Sequence, residues 1–117
     1  MFKIAKEDGV VVVIEAEGKI GADDYDVLVP AVEKTVKEQG YANLVLVTKG
    51  LKGETLGGIK NDAKFAFSEY NNVKKFALVT DQDWLRAGLK IMAPFTRTEE
   101  KIFDLDQQDE AEAWAKA

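Results

Sequence analysis

Apolar positions in this chain come in two kinds of run, unbroken and spaced by three or four, and the two kinds alternate. Leu44–Val47, inside the stretch Asn43–Thr48, is unbroken, with no polar residue to face solvent. A strand covered on both faces reads this way, and such burial goes with a parallel strand that has helices above and below it. Lys75–Thr80 repeats the pattern with Phe76, Ala77, Leu78 and Val79. Val10–Ile14 opens another buried-looking strand, which runs to Glu17 and becomes polar on one face at Glu15 and Glu17. Phe2–Lys6 alternates, as a half-exposed edge strand does, and Asp8-Gly9 supplies a hairpin turn between these first two strands. Gly18–Gly21 leads out of the sheet.

The spaced runs predict helices. Val27, Leu28, Ala31, Val32 and Val36 form one stripe after an acidic start at Asp23 or Asp24, with Gly40 beyond the last turn. Pro30 inside this stripe either kinks the helix or begins its regular part. A second helix is predicted from about Glu54 to Tyr70, with Leu56, Ile59, Ala63, Ala66, Phe67 and Tyr70 inward. A third, Trp84–Ala93, is capped by Asp81 or Asp83 and stops before Pro94. A short strand over Lys101–Asp104 and a last helix, Gln107–Lys116, complete the chain. Asp106 caps that helix, which docks Ala111, Trp114 and Ala115. The order β-β-α-β-α-β-α-β-α predicts an α/β fold with a mostly parallel, mixed five-stranded sheet flanked by helices and the first strand antiparallel at one edge.

Composition narrows the chemistry. Length and an apolar share of 46% fit one globular domain over residues 1–117. The longest apolar run is far too short to span a membrane, and the first residues carry no signal-like segment, so the expected location is the cytoplasm. A net charge of −5 argues against nucleic acid as a partner. The chain contains neither histidine nor cysteine. That excludes Ser-His-Asp and Cys-His catalysis, thiolate chemistry and ordinary zinc sites, and no cofactor or metal is expected.

The order and spacing of several segments resemble the SpoIIAA-like family, small bacterial proteins grouped with STAS domains and, by fold, with CRAL-TRIO lipid-binding domains. The resemblance spans essentially the whole chain. It is carried by Gly53, Gly58, Asp62, Lys64 and Phe65, by Lys75–Asp81 followed by Trp84, and by Phe103-Asp104 followed by Ala111-Glu112-Ala113-Trp114. It implies a superhelix of β-α units and no established enzymatic activity. Better-known STAS members, the anti-sigma factor antagonists, carry a phosphorylatable Ser or Thr at the start of the helix after the third strand, in an Asp-Ser-x-Gly setting. Here Glu54-Thr55-Leu56-Gly57 stands in that region, with Glu for Asp and Thr for Ser.

Candidate sites follow from both readings. Thr55 lies at a predicted helix start, where free backbone amides and the helix dipole favour a phosphate, so it is the candidate phosphorylation site. The glycines of 50–58 match neither dinucleotide nor Walker spacing and suit a tight helix–strand turn. Trp84 and Ile91 lie seven residues apart, off the inward stripe of Leu85, Leu89 and Met92, and Phe95 follows Pro94. With Phe65 they form a candidate surface for a hydrophobic ligand or partner; alternatively, they complete the core or a homodimer contact. Arg86 and Lys90 edge it as candidate anion contacts, which would also suit association with an anionic membrane surface without insertion. The acidic groups 23–26 and 104–110 cluster at helix starts, where capping explains them, and they lack calcium-loop spacing. The expected function is a non-enzymatic regulatory or binding module. It acts through the second and third predicted helices on a protein partner or hydrophobic ligand. The alternatives are a carrier of lipid or another small hydrophobic molecule, with a pocket between those helices, and a carboxylate-based enzyme.

Overall fold

The structure, a computed structural model, describes residues 1–49, 51–54, 72–92 and 98–117. Its elements in chain order are β1 (Phe2–Asp8), β2 (Val11–Ala16), β3 (Gly18–Ile20), α1 (Tyr25–Gln39), β4 (Ala42–Val47), β5 (Leu51–Glu54), β6 (Val73–Val79), α2 (Asp83–Met92), β7 (Glu99–Phe103) and α3 (Gln108–Lys116). Short 3-10 turns over Ala22–Asp24 and Leu105–Gln107 lead into α1 and α3. The main sheet has five strands in the order β1-β2-β4-β6-β7. β1 pairs antiparallel with β2, and every later neighbour is parallel. This is the mixed sheet that the hydrophobic pattern predicts.

Register explains why the central runs are unbroken. Val12, Leu44 and Phe76 stand side by side across three strands, as do Val13, Val45 and Ala77 one step further on. Successive residues of a strand face opposite ways, so each row belongs to a different core. The first core gathers Val12, Ile14, Ala16 and Leu44 under Phe2, Tyr25, Leu28 and Val32. The second gathers Val11, Val13, Val45, Val47, Ala77 and Val79 under Ala111 and Ala115 of α3. With α1 on one face and α3 on the other, every position of β4 except the partly buried Leu46 is buried. Alanine at 111 and 115, both wholly buried, lets the α3 backbone approach the sheet closely.

Several local expectations change. Val27 is 47% exposed; the stripe of α1 keeps Leu28 and Val32, with Val36 packed against the core, and gains Tyr25 and Thr35. Val27 lies about 100° round the helix from Leu28, which takes it off that face. Pro30 sits inside α1. It lies on the exposed side, where the carbonyl it leaves unbonded can reach water. Asp24 makes no cap bond for α1; its carboxylate accepts the Gly21 N–H at 2.7 Å and so closes the preceding turn. The entrance to α3 is likewise set by Asp104 rather than Asp106, with the Gln107 side-chain oxygen accepting the Asp104 N–H at 2.9 Å. Gly40 ends α1 with φ at 89°, in the left-handed region that glycine adopts freely. Segments 18–21 and 49–53, read as connections, contribute β3 and β5, which pair in parallel as a second, two-stranded sheet. Glu54 ends β5, so no helix begins at that residue.

Candidate functional site

The carboxyl ends of β4, β6 and β7 meet the first turn of α2, the place where open α/β sheets put their ligand sites. β4 and β6 both end in Val-Thr, and register sets the two ends next to each other. Thr48 and Thr80 are each wholly buried. The Thr48 hydroxyl donates to Thr80 Oγ1 at 2.5 Å, and Thr80 Oγ1 also accepts the Gln82 N–H at 3.0 Å. The backbone continues the pattern, with Thr48 N–H bonded to Val79 O and Thr80 N–H bonded to Phe103 O. Hydroxyls buried and bonded in this way fasten the strand ends to each other. The sequence carried a signal for the pair, since Val-Thr recurs at the end of both buried runs.

Arg86 closes the outer side of this cluster. One guanidinium nitrogen, Nη2, donates to Thr80 O and to Asp104 Oδ1, both at 2.7 Å. It thereby ties α2 to the ends of β6 and β7, and Asp104, which the sequence placed only in a capping cluster, becomes its ion-pair partner. Arg86 Nε is shielded from solvent and has no partner among the described residues. Trp84 precedes Arg86 in the first turn of α2. It is 51% exposed, and its indole N–H is held by Gln82 Oε1 at 2.8 Å. The polar edge of the ring is thus satisfied by the residue just before α2, leaving the apolar ring surface open. Leu85 and Leu89 are half-buried, and Leu85 packs on the first core beside Leu46 and Phe76, themselves only partly buried. Lys90 is exposed in the last turn of α2.

The structure therefore brings Trp84, Arg86 and Lys90 onto one helix. Thr55, Phe65 and Phe95 lie outside the described residues, as does the side chain of Ile91 and the predicted helix beyond Glu54. Among the described residues no three acidic, histidine or cysteine side chains group closely enough to hold a metal ion, and no helix is long and apolar enough to cross a membrane.

On the opposite side of the sheet, α3 is fixed by polar contacts as well as by its alanines. Asn43, 3% exposed, donates from Nδ2 to Ala115 O at 2.7 Å, while its Oδ1 accepts the Lys75 N–H at 3.0 Å. The register between β4 and β6 shifts here by one residue, and the asparagine amide fills the gap that the bulge leaves in the ladder. Lys75 Nζ caps the end of α3, donating to Trp114 O at 3.1 Å and Ala117 O at 2.7 Å. Lys6 pairs with Glu112, and Lys116 with Asp8.

A family model described as SpoIIAA-like matches residues 11–116. Among solved structures, the chain is similar to an uncharacterized protein of the DUF3478 family with a SpoIIAA-like fold, from Shewanella loihica PV-4. The two superpose with a TM-score of 0.79 over 97% of this chain and 93% of the other, at 20% sequence identity. Identity at that level speaks for the fold alone. None of the curated proteins matches.

Proposed function

The chain belongs to the SpoIIAA-like family, and from that premise we propose that it is a non-enzymatic, cytoplasmic binding or regulatory module. Its working surface is the outer face of α2 with the segment that follows β5, and what it engages is a protein partner or a hydrophobic ligand. The observation that carries this reading is Trp84. A tryptophan half in water, its N–H already satisfied by Gln82, offers a flat apolar surface that needs no further polar partner. The half-buried Leu85 and Leu89 beside it support a surface that another molecule could complete. Phe65, Ile91 and Phe95 belong to the same proposal, with Arg86 and Lys90 as anion contacts at its margin and Thr55 as the residue whose phosphorylation would alter it.

Against an enzyme stands the chemistry available: the chain has no histidine and no cysteine, and the hydroxyls at the strand ends are sealed. Native mass spectrometry of gently purified protein, with crosslinking, tests the reading. A bound hydrophobic molecule, a dimer or a crosslinked partner is expected, and Trp84→Ala should weaken it at least severalfold. A phosphoryl group on Thr55 would appear in the same spectrum. A bare polypeptide mass with no crosslinked partner, identical in parent and variant, would overturn the proposal.

A further inference from the structure

We draw no further inference here: the strongest candidate, the exposed Trp84 face of α2 beside the Arg86–Asp104 clasp, carries nothing beyond the surface already proposed, because nothing in the structure shows what covers it.

Discussion

Asn43 is a small side chain on which two distant parts of the fold converge, and replacing it gives a sharp test of how the sheet holds α3. In Asn43→Ala, Ala115 O and Lys75 N–H lose their partners together. An unpaired buried backbone group costs about 1–3 kcal/mol. Ala115 is wholly buried, whereas the bond to Lys75 N–H is only partly so, so the two together should cost about 2–4 kcal/mol. For a domain of this size that lowers Tm by roughly 8–16 °C. Urea denaturation followed by circular dichroism gives the free energy, and hydrogen exchange at the Lys75 amide reports the local bond. Asn43→Asp separates hydrogen bonding from packing, since it fills nearly the same volume. It keeps the acceptor for Lys75 N–H, but at neutral pH it turns an oxygen towards Ala115 O in place of the donor. Asn43→Asp should therefore lose at least as much stability as Asn43→Ala. If the aspartate variant is as stable as the parent, or if the Lys75 amide stays fully protected in the alanine variant, the bridging argument fails.

The remaining predictions concern the strand ends, the α1 terminus and the α3 ion pairs. Thr80→Val removes the acceptor for both Thr48 O–H and Gln82 N–H and should cost about 2–3 kcal/mol. Thr48→Val leaves the Gln82 bond intact and should cost about 1 kcal/mol, with a double-mutant cycle showing coupling. Equal losses for the two, with no coupling, would refute the Thr48–Thr80 bond and the added role of Thr80 as acceptor for Gln82. Gly40→Ala meets no neighbouring atom within 4 Å, so its cost is backbone strain alone, about 1 kcal/mol by thermal melting. No drop in Tm would mean that the left-handed cap is not kept. The Lys116 ammonium, by its hydrogen bond and then its charge, holds the Asp8 carboxyl below the ordinary value of 3.8. Any stability that this pair adds is therefore present above 3.8 and disappears as pH falls through the depressed value. Lys6 is raised above 10.5 by Glu112, so its contribution is present below 10.5 and disappears as pH rises through the raised value. An NMR titration should find the Asp8 midpoint raised towards the ordinary value in Lys116→Gln; an unchanged midpoint would remove Lys116 as the main cause.

What could be read from the chain was whatever depends on a repeating pattern. Val45 and its neighbours announce two covered faces because no polar residue interrupts them, and Ala111 with Ala115 marks the docking side of α3. Short or pairwise features were harder. β3 and β5 are only three and four residues long with a glycine in each, too brief for any period to register. They are strands because they pair with each other. Val27 looked inward because it sits beside Leu28, but one residue is about 100° of helical turn, which carries it off the buried face. The role of Asn43 depends on a bulge in the β4–β6 pairing and on a helix end seventy-two positions away, and no local window contains either. Trp84 stood out by lying off the inward stripe, whereas the use of Arg86 as a clasp required knowing where β7 ends.

The division of the two cores between α1 and α3 also bears on how the chain is made. α1 emerges from the ribosome soon after β2, so one side of the nascent sheet can be covered as it forms. The other side, with Val11, Val13, Val45, Val47, Ala77 and Val79, has its cover in α3, which is translated after every strand. Until α3 docks, those residues lack that cover, and the growing polypeptide passes through an interval of stickiness that α3 helps to end.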